Sequence, residues 1–368
     1  TATLALDGMV NLSAGVNGRG GLLDIVAERI AIVGAGASVP TGFLGVRAED
    51  INRMGAESVL IGGTRSQDVR GTRVATRSTR IVVDNEGTPL AAGEILLVAS
   101  DRVTLSTKAS LTAAGNAVPY DPGARILVAG DGAFVRVSSD SDLRLERSAT
   151  TRLAGLMEAG SGVVFTGKAV ELDGTLDLRL ASDVVIDSRA VGLGASRVVF
   201  GPANAGSAGL AVDATLLGQL ETAATLLFRG YDSIDFRESL ALGEVTSQGQ
   251  VSLQRLVLDS ASIRGQGDAG TTVKLTAGTI ELRNSSGVLP GAAGAGVGRL
   301  DLVAVAVNGV GGQVLVDANT KSISGFTSNV FTASREILLN GTGSLAVAGD
   351  LNLISERVSA SQAAIQSI

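Results

Sequence analysis

Leu23-Asp24-Ile25-Val26-Ala27-Glu28-Arg29-Ile30-Ala31-Ile32 is the stretch whose reading decides the fold. On either side of Ala27 the apolar residues fall at every second position, the period of a strand with one buried face. The small residue and short gap between the halves suit a bend that turns the chain onto a new sheet. The unit returns as Val273-Lys274-Leu275-Thr276-Ala277-Gly278-Thr279-Ile280-Glu281-Leu282 and as Leu351-Asn352-Leu353-Ile354-Ser355-Glu356-Arg357-Val358. A looser spacing carries Ile95, Leu97, Ala99, Val103 and Leu105, and again Leu226, Phe228, Gly230, Ile234 and Phe236. Recurrence every 20 to 30 residues or so is the range of solenoids. Ala27, Ala48, Ala99, Ala277, Ala333 and Ser355 then share one crowded corner, an agreement that a sandwich of hairpins does not explain. The pattern predicts an all-β chain, a parallel β-helix running through residues 1–368 as one elongated segment. About 14 coils at roughly 4.8 Å each would make a rod about 65–70 Å long.

Composition narrows the chemistry. The 368 residues contain no His, Cys or Trp, so no imidazole-based triad, thiol nucleophile or Cys/His zinc site can be built from them. Carboxylate acid–base catalysis and oxygen-ligated calcium or magnesium stay open. With 45% apolar but only 3% aromatic residues, the core must be aliphatic and small. Net charge is −6, and the basic residues, nearly all Arg, are interspersed with acids. No basic stripe marks a nucleic-acid partner. Gly, Asn, Asp and Ser clusters such as Asn340-Gly341-Thr342-Gly343 supply turns between strand blocks.

Interruptions are also legible. Leu216, Leu217 and Leu220 stand at helical spacing behind Asp213, which predicts a short helix near 213–222 with Asp213 as its N-cap. Thr64–Gly71 reads as a polar excursion and Gly291–Gly298 as a projecting loop. The apolar stretch 300–316 alternates like strands and carries Asp301 and Asn308, unlike a membrane span. The chain starts and stops mid-pattern, without a signal peptide, which predicts an internal piece of something longer.

The repeated units, with Ala56-Glu57-Ser58-Val59-Leu60-Ile61-Gly62-Gly63 and Phe228-Arg229-Gly230-Tyr231-Asp232-Ser233-Ile234-Asp235-Phe236, resemble the coils of filamentous-haemagglutinin-type large exoproteins, the passengers of two-partner secretion systems in Gram-negative bacteria. The resemblance covers essentially the whole chain, and its motifs are degenerate. It implies a right-handed parallel β-helix, secreted to the bacterial cell surface and acting in adhesion or in display of a terminal effector. It further implies an outer-membrane transporter as partner of the full-length protein and a host-cell or bacterial surface receptor. The amino-terminal secretion domain of such proteins has no counterpart here, so the segment reads as shaft, with no cofactor and no catalytic residue. Open coil ends predict end-to-end self-association.

A β-helical polysaccharide lyase or hydrolase is the competing class, and it needs acids clustered across coils beside an Arg or Lys base. The nearest set is Asp140, Asp142, Arg144 and Glu146; a solvated outer face, with Leu143 and Leu145 inward, predicts the same alternation. Asp183, Asp187 and Arg189 repeat the idea more weakly. Gly162-Val163-Val164-Phe165-Thr166-Gly167-Lys168 half-draws a phosphate loop but is followed by Ala169 and reads as a strand. Tyr120, in the turn-like Val118-Pro119-Tyr120-Asp121-Pro122, is the one residue singled out for presentation to a partner, with packing within the turn as the plainer reading. Asn11, Asn284 and Asn340 open glycosylation sequons that chance explains.

Overall fold

The computed structural model describes all residues except 1, 4–9, 16–17, 117, 119, 203–206, 246–250 and 293. The strand expected at 3–12 lies largely outside the described residues. Among the described residues the chain is mostly β with two short helices, and most strand pairs are parallel. Among the described residues no helix is long and apolar enough to cross a membrane. Contacts divide the chain into two compact units, Thr1–Leu193 and Gly194–Ile368.

In the first unit, alternation places one side chain of each pair in a shared interior, and parallel pairing stacks those positions. Leu44, Ile30, Ile81, Val103, Met157 and Leu178 succeed one another in register. A second row joins Leu23, Val59 and Ile95, and a third joins Leu90, Leu111, Phe165 and Ile186. Ile30, Ile81, Val103, Met157, Leu111 and Phe165 are fully buried. Burying whole aliphatic side chains in this way contributes roughly 1.5–3 kcal/mol each.

Two features depart from simple stacking. The strand Ala133–Ser138 runs antiparallel to both of its neighbours, Glu94–Leu105 and Ala169–Gly174. A four-stranded side sheet is built from the hairpin Gly63–Asp68 and Gly71–Thr76, followed by Arg125–Ala129 and Leu145–Ser148. Leu60, Leu96, Val98 and Phe134 meet Val74, Ile126, Val128 and Leu145 of this sheet in one apolar cluster. Ser58–Ile61 and Ala133–Ser138 are therefore buried on both faces. The excursion expected at Thr64–Gly71 is this hairpin.

The second unit keeps parallel register for longer. Leu242, Leu275, Leu302, Phe331 and Leu353 form one row. Leu226, Leu256, Ile280, Val314, Ile337 and Val358 form another. Ile234, Ile263, Ile323 and Val347 form a third. Ala277, Ala304, Ala333 and Ser355 stand directly above one another. Three of the six residues assigned to a common corner thus stack, and Ala304 joins them. Ala48 does not, because it is the first residue of a helix. Phe200 stacks on Phe236, with ring centroids 4.8 Å apart, and meets Phe228 edge-on.

The expected helix is present as Ala214–Leu220, and the Asp213 side chain accepts from Leu216 N at 2.9 Å. A second helix, Ala48–Met54, buries Ala48, Ile51 and Met54 on one face. It ends at Gly55 in the left-handed region, φ 64°. Asn52 on this helix accepts from Ala91 N and donates to the Pro89 carbonyl, both at 2.8 Å, pinning the strand Leu90–Ala92. Of the segment expected to project at 291–298, residues 291, 292, 294, 295 and 297 are exposed, and it meets the stack at Gly294 and Gly296. Gly294 O accepts from Gly325 N at 3.1 Å, and a Cβ on Gly296 would fall 1.9 Å from the Gly325 carbonyl carbon. Only glycine permits that approach.

Candidate functional site

A network of ionisable groups gathers around Arg136 in the first unit, beside its side sheet. It follows from strand geometry. On Ala133–Ser138, Val135 and Val137 take one face, and Phe134, Arg136 and Ser138 take the other. Register places Arg136 opposite Leu96 on one neighbour and Glu171 on the other. Arg136 Nε donates to Glu94 Oε1 at 2.8 Å, Nη1 to Glu171 Oε2 at 3.1 Å and to the Asp142 carbonyl at 2.7 Å, and Nη2 to Asp140 Oδ2 at 2.9 Å. The Arg136 and Glu94 side chains are both 0% exposed.

The acceptors are filled from other directions. Glu94 Oε2 accepts from Ser58 Oγ at 2.9 Å and from the Tyr120 hydroxyl at 2.8 Å. Glu171 accepts from the backbone N–H groups of Arg144, at 3.0 Å, and Leu145, at 2.8 Å. Arg144 donates to Asp140, to Asp142 Oδ2 at 3.1 Å and to the Ala124 carbonyl at 2.8 Å, with its guanidinium 4.5 Å from the centre of the Tyr120 ring. Burial works against the charged form of Arg136, but Glu94 and Glu171 outweigh it and raise its pKa. Burial followed by Glu94 raises that of the Tyr120 phenol. Burial also works to raise Asp140, yet Arg144 and Arg136 hold its carboxyl below the usual range.

This settles where the sequence candidates lie. Asp140, Asp142 and Arg144 do meet, around a guanidinium rather than an open cleft. Arg144 is not on a solvated face as expected: it is buried beside the inward Leu143 and Leu145. Glu146 points the other way and accepts from Arg70 Nη1 at 2.5 Å. Tyr120 is half-buried, packed on the apolar cluster with its hydroxyl turned inward. Arg136, Glu94 and Glu171 are the members that sequence reading missed. The one available signal was a charge in each otherwise apolar block: Glu94 before Ile95, Arg136 inside Phe134–Val137, and Glu171 between Val170 and Leu172.

The remaining candidates stay apart. Asp183 accepts from Ser161 Oγ at 2.6 Å, which lowers its pKa, and no hydrogen bond or ion pair joins it to Asp187 or Arg189. Val164–Thr166 of the half-drawn phosphate loop is a strand. Among the described residues no three acids gather in a way that could hold a metal ion. In the second unit, Lys321 is buried and its ammonium donates to the carbonyls of Asp317, Ala318 and Asn319. Burial lowers its pKa to about 8, against a smaller raising effect of Asp317 and Asp259. Arg255 grips Glu281 through two bonds, 2.7 and 2.9 Å, and Arg229 pairs with buried Asp259 at 3.0 Å.

Chemically, the Arg136 cluster is a clamp. Each of its carboxylates faces a guanidinium, and together they tie Glu94, Arg136, Glu171 and the Asp140–Leu145 turn into one unit. Set against known family models, curated proteins and solved structures, the chain matches none of them.

Proposed function

We propose that the chain is a non-catalytic shaft segment of a secreted bacterial surface adhesin of the filamentous-haemagglutinin type, folded as a right-handed parallel β-helix. One observation carries the reading: the stack Ala277, Ala304, Ala333, Ser355, beside the row Leu275, Leu302, Phe331, Leu353. Successive strands there align one small residue and one apolar row in parallel register, as a repeating scaffold requires. The closed Arg136 clamp supports the same reading, because its charges are spent on one another. In the parent protein such a segment would be exported through an outer-membrane transporter and would hold binding modules away from the cell. The strand Asp350–Ala360 pairs on one side only among the described residues, an edge that carries end-to-end self-association of the purified chain.

The functional test exposes the purified, folded chain to intact host and bacterial cells and to acidic and neutral glycans. Neither saturable binding nor product release is expected. Saturable binding would move adhesion onto this segment, and released sugar would replace the shaft with a lyase or hydrolase. The architecture has its own test. Deleting Val305–Ala333 joins Ala304 to Ser334 and removes one turn while keeping every register. A stack of turns stays folded and unfolds cooperatively after this loss, whereas any other architecture collapses.

A further inference from the structure

Asn-Gly pairs occur at Asn308-Gly309 and Asn340-Gly341, and a third, Asn17-Gly18, lies partly outside the described residues. The first two sit in opposite environments. Asn340 Nδ2 donates to Asp317 Oδ1 at 2.8 Å, its Oδ1 accepts from Ser361 Oγ at 2.7 Å, and its carbonyl accepts from Gln366 Nε2 at 2.7 Å. Its side-chain amide is held at both ends. Asn308 and Gly309 form the tip of a two-residue hairpin, with φ 49° and 79°. Val307 and Val310 close it by donating to each other's carbonyls, at 2.8 and 2.9 Å. Both tip residues are exposed, and neither the Asn308 side chain nor the Gly309 N–H has a hydrogen-bond partner among the described residues.

The geometry points to Asn308 as a site of spontaneous deamidation, and we propose that the fold directs this chemistry to Asn308 and away from Asn340. The Gly309 backbone nitrogen loses its proton to base and attacks Asn308 Cγ. The Cγ–Nδ2 bond breaks, ammonia leaves, and a five-membered succinimide forms. Water then opens the ring at either carbonyl, leaving aspartate or isoaspartate. No oxidant, metal or other co-reactant enters. Glycine favours attack because no side chain shields its nitrogen. The step requires the turn to swing out of its left-handed conformation. At Asn308 that costs two hydrogen bonds of an isolated bridge, the kind of opening that lies at the low end of a protein's stability range. Asn340 is not among the residues of positive φ, and attack on its Cγ must instead release the amide bonds to Asp317 and Ser361.

The product alters one surface feature in two ways. A neutral tip gains a carboxylate, and the isoaspartate form adds a methylene to the main chain, which breaks the two-residue turn. Val310 is already 60% exposed. The chain must re-enter the stack at Gly312, where a Cβ would meet Ala304 C at 2.3 Å, so the damage stays confined to the tip between the strands Gly298–Ala304 and Gln313–Val316.

The test incubates the purified chain in mildly alkaline buffer, folded and in denaturant, and maps aspartate and isoaspartate by mass spectrometry of peptides. In the folded chain, conversion at Asn308 is expected to outrun that at Asn340 by about tenfold or more, the factor set by ~1.4 kcal/mol of extra opening cost. In denaturant the two rates converge, because only the fold separates them. Asn308→Gln should abolish the early product without moving the melting temperature. Equal rates in the folded chain, or faster conversion at Asn340, would overturn the proposal, as would a difference that persists in denaturant.

Discussion

The strand Ala133–Ser138 in the first unit and the strand Thr272–Ala277 in the second begin from similar alternation and finish differently. The former is buried along its whole length, because the side sheet covers its outer face. The latter keeps Thr272 and Lys274 exposed. Where the outer row is covered, its charges must be satisfied inside the protein, and Arg136 acquires three carboxylates. Where the row is open, water does that work, and pairs such as Arg299 with Asp301 form at the surface. The same residue types therefore differ greatly in energetic weight according to what lies over them.

Removing the centre of the covered network breaks this comparison most severely. Arg136→Ala leaves Glu94 and Glu171 buried without a cation, while Asp140 keeps Arg144, at a cost of about 3–5 kcal/mol. Chemical denaturation with segment-resolved hydrogen exchange should show the loss in the first unit. Neutralising Glu94 and Glu171 to Gln in the same chain should recover part of it, and no recovery would mean that packing, not charge, dominates. Next comes the open stack. Leu275→Ala removes a fully buried side chain from an aliphatic row and should cost about 2–5 kcal/mol. A melting curve that does not move would sink the core assignment.

Lys321 sharpens the comparison through pH. Its folded pKa, about 8, lies below the ordinary 10.5. Between these values the unfolded chain binds more protons, so stability contributed by this site rises with pH. From pH 8 to about 10 the gain should approach roughly 2–3 kcal/mol, as one pKa unit is about 1.4 kcal/mol. Above that range Tyr120 opposes it, because its folded phenol keeps a proton that the unfolded one loses. Denaturation midpoints followed against pH should show the rise in the natural chain and not in Lys321→Met. The smallest effect belongs to Arg299→Ala at the open surface. Its partner Asp301 remains hydrated, and thermal unfolding should be unchanged within error.

Part of this site was legible in advance, and the limit has a physical cause. Asp140, Asp142 and Arg144 stand out in the sequence because they alternate within one short segment, a local property. Arg136, Glu94 and Glu171 come together only through the antiparallel register of Ala133–Ser138, which no local spacing encodes. Helix Ala214–Leu220 could be found from its cap and its leucines. Helix Ala48–Met54 carries comparable signals in Glu49, Asp50, Arg53 and Gly55, but its opening Ala48 also fits the small-residue corner of a strand pattern. Tyr120 looked like a turn residue by its prolines, and the Glu94 carboxylate, distant in sequence, draws its hydroxyl inward.

By itself the sequence determined the strand periodicity, the apolar rows, the shared small-residue position of Ala277, Ala333 and Ser355, and the exclusion of imidazole and thiol chemistry. These are properties of neighbours along the chain, where alternation and residue size act directly. The tertiary structure decided which strand lies beside which, that Ile263 pairs with the distant Ile323, that one strand reverses, and that a second sheet covers it. Those choices depend on which exposed faces find a partner. Burial then determines whether a charge such as Arg136 is a surface ornament or the centre of a clamp.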